Sequence, residues 1–547
     1  MRPHLLRFLL LAILAAPGYG SEGELWKTAR ANGTRVDDIF SRTRKMLHAW
    51  LSYADRETLL LPDRLPGLIR GKANVESAYT PHNSGADNYP YLILTAFFTD
   101  PQVYRGRMID MLRNEIRFTN AAGSIPGNLD FKTRKLGPPS FFGAGEYAKD
   151  GLVSVTELLG RTPWFHRMVD MTADFAAHAP VETRFGNLPD DGAELNGDVL
   201  QTLARLIPMT ADPRFLRWAE EIGDAYVQEI LPANGYLPGY RWDFRKLSDA
   251  GHTRFRDHGN EVIVGLVLLH ALETDMGRER GKTWLPVIRR MLDRVLESAN
   301  PDGMLYNEVA NRDLAPRNDR LSDNWGYVYA AVYAFYQVTG DTKYRDAVRR
   351  VLTNLPKYRN YDWESGSMDG YADSIESALY LVAREPVPEA LDWIESEMKT
   401  LIAYQRPDGT IERWYGDGNW NRTLLLYAMM KTQGCYLKDW APDVELGAVR
   451  DGERLLVSVH SPKPWSGRVA FDYARHRRVL NLTKNYARLN EWPEWHTVDE
   501  NTLYTVRDAI SGKEEIRLGS ELIEGIDVAV PAGAAKKVIV SPVRRAR

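Results

Sequence analysis

The sequence predicts a mainly α fold: an (α/α)6–7 toroid, a barrel of helical hairpins, followed by a small C-terminal antiparallel β-sandwich. Three observations predict it. Apolar residues recur at helical period from about Val36 to about Gln433. Within that stretch two kinds of helix alternate. After Gln433 the period changes to two, as in half-buried strands.

The first kind of helix has one wet face and one dry face. Examples are "VDDIFSRTRKMLHAWLSYAD", "KYRDAVRRVLTNL" and "PEALDWIESEMKTLIAY". The second kind is apolar or small almost all round, as in "NYPYLILTAFF", "EVIVGLVLLHALE" and "NRTLLLYAMM". A helix that is dry on every side is buried on every side. The order therefore reads outer, inner, outer, inner, with about seven hairpins in all. An open solenoid leaves faces of each hairpin wet, so the all-round dry helices favour a closed ring. The linkers "LPANGYLPG", "NPDGMLYNE" and "RPDGTIERW" carry Asn-Gly or Asp-Gly, which mark tight turns. The tail alternates in "ERLLVSVHS", "TLYTVRD", "IDVAVPAG" and "KKVIVSPV". Domain boundaries follow: 1–20 a leader, 21–435 the toroid, 436–547 the β unit. The basic, aromatic stretch "DYARHRRVLNLTKNYARLNEWPEWHTV" is expected on a solvated face of that unit, with contact to substrate as the second reading.

Residues 1–20 read as an export signal. Arg2, His4 and Arg7 precede the apolar run Leu5–Ala16, and Gly18 and Gly20 suit a cleavage site. The run is too short to span a bilayer, so the mature chain is expected in the periplasm or outside the cell. With one cysteine in 547 residues, a disulfide framework or a cysteine zinc site within the chain is excluded. Cys435 is expected in the core. The net charge of −3 and the lack of a basic stripe argue against a nucleic-acid partner. Fifteen Trp and 27 Tyr tilt the reading towards sugar rings.

Polar residues crowd the start of nearly every inner helix. The entries read "GADNYPYL", "GEYAKDGL", "AELNGDVL", "DHGNEVIV", "SDNWGYVY", "MDGYADSIES" and "DGNWNRTL". Helix capping accounts for one Asp, Asn or Ser per helix. It does not account for three or four. In a ring of parallel inner helices, the surplus converges on one mouth. Glycoside cleavage needs one carboxyl that stays protonated and one that is ionised. Burial and mutual repulsion separate their pKa values. Asp198, Glu261 and Asp373 lie about one turn inside their helices, where a cap would not be, and are the catalytic candidates. Asn196, His258, Asn260, Asp323, Asn324, Trp325, Asp369, Tyr371, Trp414, Trp420 and Arg422 are the candidate substrate-binding residues. By residue type, His258 and Arg422 suit an acidic sugar. No phosphate loop, GxSxG elbow or HExxH occurs, and no metal or cofactor is expected.

"RPDGTIERW", "MDGYADSIESALYL" and the hairpin repeat, over roughly Val36–Gln433, resemble the six-hairpin glycosidase superfamily. The resemblance implies an (α/α) toroid. It groups the chain with unsaturated glucuronyl hydrolases, and related toroid-plus-β chains include polysaccharide lyases. About seven hairpins, not six, is a departure: the first pair is an accessory, or the ring is seven-fold. The expected function is a secreted glycoside hydrolase acting on polysaccharide-derived oligosaccharides. The alternative is a uronate lyase using Asn196, Asn260, His258 and Tyr371. An epimerase and a non-catalytic binding toroid rank below these.

Overall fold

The computed structural model describes residues 21–69, 72–74, 78–256 and 260–543. The expected leader, residues 1–20, lies outside them. The molecule is mainly helical and carries several small antiparallel sheets. The longer helices fall into two sets. The outer set is α1 (Glu22–Ser52), α3 (Arg107–Thr119), α5 (Pro163–Ala177), α7 (Pro213–Ala225), α9 (Leu285–Glu297), α11 (Thr342–Asn354) and α13 (Pro388–Ala403). The inner set is α2 (Tyr89–Thr99), α4 (Val153–Leu159), α6 (Ala193–Thr210), α8 (Asn260–Asp275), α10 (Trp325–Thr339), α12 (Met368–Val382) and α14 (Asp417–Thr432).

Inner helices pack in sequence order. Helix α2 meets α4, the turn that leads into α4 meets α6, and α8, α10, α12 and α14 follow. Helix α14 returns to α2, while α1 covers both. The predicted alternation explains this circuit. Helix α8 buries Val262 to Leu272 on all sides, and α10 buries Trp325 to Phe335. Each such Leu, Ile or Phe contributes about 1.5–3 kcal/mol on leaving water. The linkers also behave as read, with Gly235, Gly303 and Gly409 at φ between 66 and 94°.

Two features depart from the sequence expectation. Helix α1 begins at Glu22, well before Val36. Its early turns pack away from the ring, where Leu25, Trp26 and Ala29 meet Leu456 and Ile539 of the β unit. Two inner helices are also preceded by π-helical turns, Pro81–Asn88 before α2 and Tyr147–Leu152 before α4. These turns pack against each other.

The tail forms β1 (Tyr436–Leu437), β2 (Glu445–Asp451), β3 (Arg454–Ser461), β4 (Trp465–Ala470), β5 (Leu503–Asp508), β6 (Glu514–Leu518), β7 (Ile526–Val530) and β8 (Ala534–Pro542). One sheet runs β2-β3-β8-β5-β6 and the other β1-β4-β7. Val457 pairs with Val538 and Leu446 with Val459. Alternate residues of these strands share a core with Cys435, as expected of that cysteine.

The segment 471–498 corrects an expectation. It is a strap across the C-terminal ends of the inner helices, not a wetted sheet face. Leu480, Leu482, Tyr486, Leu489 and Trp492 join the ring's core. Trp492 Nε1 donates to Ser154 O at 2.9 Å, Asn481 Nδ2 to Pro208 O at 3.0 Å, and Tyr486 OH to Asp275 at 2.9 Å. Arg488 and Arg205 clamp the buried Glu157 at 2.6 and 3.1 Å.

Candidate active site

At the opposite end, the N-terminal turns of the inner helices surround a cavity of about 340 Å³. Every inner helix or its entry segment contributes to the wall. The first π-helical turn brings His82, Asn83 and Asp87, and the second brings Lys149 and Asp150 beside Glu146. Then come Glu194 of α6, Glu261 of α8, Tyr327 of α10, Asp369 and Asp373 of α12, and Asn419 and Arg422 of α14. Short helical turns add Phe142 and Glu364, and loops add Arg256, Asn324, Trp414 and Tyr415. A π-helical turn inserts a residue and re-aims the side chains around it, which is why such turns recur at functional sites.

On one side of the cavity, Lys149 is the hub. Its ammonium lies 2.8 Å from Asp150, 2.9 Å from Glu261 and 3.5 Å from Asp198. One buried cation cannot hold three carboxylates ionised. Asp150 takes the charge. Burial opposes it, but Lys149 and further hydrogen bonds prevail and hold its carboxyl below the usual range. Burial, partly offset by Lys149 and reinforced by neighbouring carboxylates, pushes Glu261 up to about 8 and Asp198 up to about 7. Burial also opposes the charge of Lys149, and the surrounding carboxylates outweigh it, so the ammonium stays protonated. Gln201 Nε2 donates to Glu261 Oε2 at 2.7 Å and fixes its orientation.

On the α12 side, Asp373 accepts from Tyr327 OH at 2.9 Å and from Asn324 Nδ2 at 2.8 Å, with Arg422 at 3.4 Å. These donors suit a carboxylate. Burial pushes Asp369, one turn earlier, well above the ordinary range, and the charges of Asp373 and Glu364 add to the shift. Asn419 Nδ2 donates to Asp369 at 2.7 Å. Arg422 is anchored by Glu376 at 2.7 Å and by Tyr91 OH at 2.9 Å. Glu364 has a left-handed backbone, φ 45°, and is held by an ion pair with Arg256. That conformation costs a non-glycine residue about 1–2 kcal/mol.

The floor comes from the strap. Asn490 Nδ2 donates to Asp150 Oδ1 and Lys149 O, both at 3.0 Å, and its Oδ1 accepts from Arg422 at 3.3 Å. A residue of the β unit's strap thus joins the two sides.

Of the residues singled out from sequence, the cavity brings together Glu261, Asp373, Asn324, Asp369, Trp414 and Arg422. The others lie elsewhere. Asp198 is fully buried behind the wall. Asn196 is tied to Asp190 O and Gly192 O at 2.8 and 2.7 Å. Asp323 is buried, with Arg256 at 3.7 Å. Trp325 and Trp420 are core residues. Their Nε1 atoms donate within the ring, to Ser374 Oγ at 3.1 Å and to Leu401 O at 2.8 Å. Tyr371 is buried against Tyr404. His258 and the side chain of Asn260 lie outside the described residues. Sequence patterning does not single out Lys149, Tyr327 or Asn490. Lys149 carries a signal, a lysine at the mouth of an apolar helix. Asn490 carries only the signal of its segment, the basic, aromatic stretch for which contact with substrate is the second reading. Among the described residues, no three His, Cys, Asp or Glu side chains are grouped to hold a metal ion.

No protein-family model and no curated protein matches the sequence. Solved structures do show likeness. A cellobiose 2-epimerase from Bacillus thermoamylovorans is 11% identical, covering 59% of this chain and 88% of its own, at a TM-score of 0.39. A glycoside hydrolase family 76 mannosidase from Bacteroides thetaiotaomicron is 11% identical, covering 72% and 98%, at 0.41. An unsaturated glucuronyl hydrolase from Bacillus sp. GL1 is 14% identical, covering 56% and 89%, at 0.38. The likeness is distant and concerns the fold alone.

Proposed function

We propose that the chain is an exported glycoside hydrolase that cleaves polysaccharide-derived oligosaccharides by carboxylate acid/base catalysis. The proposed architecture is a ring of seven hairpins over 21–435 with a sandwich-like β unit over 436–547. One observation carries the reading: a single lysine is shared by three buried carboxyls, so Glu261 keeps its proton at neutral pH on the wall of a cavity that also holds Asp373 among three donors. Glu261 is the proton donor to the leaving oxygen. Asp373 activates water or attacks the sugar. Asp369, Asn419, Asn324 and Trp414 bind the ring. Asp198, from its buried place, tunes Lys149. The lyase alternative is disfavoured by the place of its tyrosine: Tyr371 is buried against Tyr404 and is not among the residues of the cavity wall. Burial raises its hydroxyl above the ordinary value, the wrong direction for a base.

The test is hydrolysis of an oligosaccharide panel by the purified protein, followed as new reducing ends together with ultraviolet absorbance. Glu261→Gln and Asp373→Asn are each expected to lower kcat about 100- to 10,000-fold. Wild-type activity should fall as pH rises through about 8, where Glu261 loses its proton. A new unsaturated-uronate absorbance would replace hydrolysis with elimination.

A further inference from the structure

We propose that this cavity accepts a neutral sugar and rejects a uronate, because every cation among the described residues of its wall is already engaged by the protein's own carboxylates. The inference rests on the hydrolase reading for its substrate and names the class that the site selects.

Among the described residues, the wall holds three permanent cations, Lys149, Arg256 and Arg422. The strong form of carboxylate recognition uses an available charged donor, most often a bidentate arginine. Lys149 spends its three N–H directions on Asp150, Glu261 and Asp198. Arg422 spends Nε on Glu376 at 2.7 Å, Nη1 on Tyr91 OH and Asn490 Oδ1, and Nη2 on Tyr327 OH and Asp373, both at 3.4 Å. Arg256 pairs with Glu364 and faces Asp323 at 3.7 Å. Seven carboxyl groups thus surround three cations. His82, the remaining basic group described on the wall, is kept neutral by burial.

A uronate entering this site meets Asp373 and Asp150, and among the described residues of the wall each cation is already engaged; like charges brought together cost several kcal/mol. A neutral sugar meets hydrogen-bonding partners suited to hydroxyls. Protonated carboxyls donate, ionised ones accept, and Asn324 and Asn419 do both. The expectation from residue types, that Arg422 receives an acidic sugar, is therefore reversed by what Arg422 already holds.

Matched probes test this. Uronate-containing oligosaccharides are compared with the same preparations after carboxyl reduction, which turns each uronate into its neutral hexose, alongside neutral gluco-, manno- and xylo-oligosaccharides. Hydrolysis is followed, and calorimetry measures binding whether or not hydrolysis occurs. Neutral or carboxyl-reduced forms are expected to bind at least about 100-fold more tightly than uronate forms. Uronate forms that bind or react as well as neutral ones overturn the proposal and leave the hydrolase reading intact. Neutral-selective binding without hydrolysis removes the hydrolase reading and upholds the proposal. Absence of binding to either set overturns both.

Discussion

Asp198 shows how a single residue's place changes its role. Its residue type and helix position mark it as a catalytic carboxyl, yet its side chain has no exposure and faces Lys149 and Glu146 from behind the cavity wall. Burial raises its pKa to about 7, against an ordinary value near 4 in the unfolded chain. Between these values the folded state binds the proton more strongly. The unfolded chain then holds fewer protons, so stability falls as pH rises from about 4 to about 7. An asparagine has no proton to lose. Asp198→Asn should therefore melt closer to, or above, the wild type as pH is raised from 4 to 8, a relative gain on the order of 5 °C. Melting curves across that range measure it. A difference that stays constant with pH would separate Asp198 from the proton balance of the Lys149 cluster.

Among elements, the inner helices approach one another unusually closely where α6 meets α8. A Cβ on Gly197 would sit 2.2 Å from the backbone of Glu261 and Val262. Backbone cannot step aside as a flexible side chain does, so only glycine fits this crossing. The same contact sets the position of Glu261. Gly197→Ala is expected to destabilise the protein by about 1–3 kcal/mol and to displace the turn that carries Glu261, the proposed proton donor. Urea unfolding gives the first, as a lower midpoint at unchanged slope. Loss of kcat beyond what the unfolded fraction explains gives the second. Hydrophobic patterning shows that these helices are dry all round. It does not show which faces touch, because α7 and a long loop excursion separate α6 from α8 in the chain. The π-helical turns are equally silent, since nothing in "PHNSGADN" or "YAKDGL" distinguishes a widened turn from an ordinary one.

For the whole molecule, the strap 471–498 ties the β unit to the ring through buried charge. Glu157 is fully buried and is held by Arg488 at 2.6 and 2.8 Å and by Arg205 at 3.1 Å. The same strap holds Glu491 against Arg384. Breaking one arm of a buried pair leaves charge without compensation. Arg488→Met should cost about 3 kcal/mol, the lower end of the usual range, because Arg205 still faces Glu157. Chemical denaturation reports the loss. A variant as stable as wild type would mean that apolar packing alone holds the strap. Asn490 rides on this segment, so its grip on Asp150 and Arg422 depends on the β unit being docked.

The alternation of helices, the turns between them, the period-two tail and the crowding of carboxylates at the inner-helix entries are all written in local spacing. The periods of helix and strand and the residue types of turns act over a few positions, so a linear reading recovers them. The same reading groups Glu261, Asp373, Asp369, Asn324, Trp414 and Arg422, since all lie at or near the start of an inner helix. Other outcomes belong to the folded molecule: which carboxyls keep their protons, that Arg422 is already occupied, and that Asn490 completes the floor. They depend on burial and on charges from segments far apart in the chain. Proton affinity is set by how much water is excluded and which charge lies within a few ångströms, and neither quantity exists until the helices have packed.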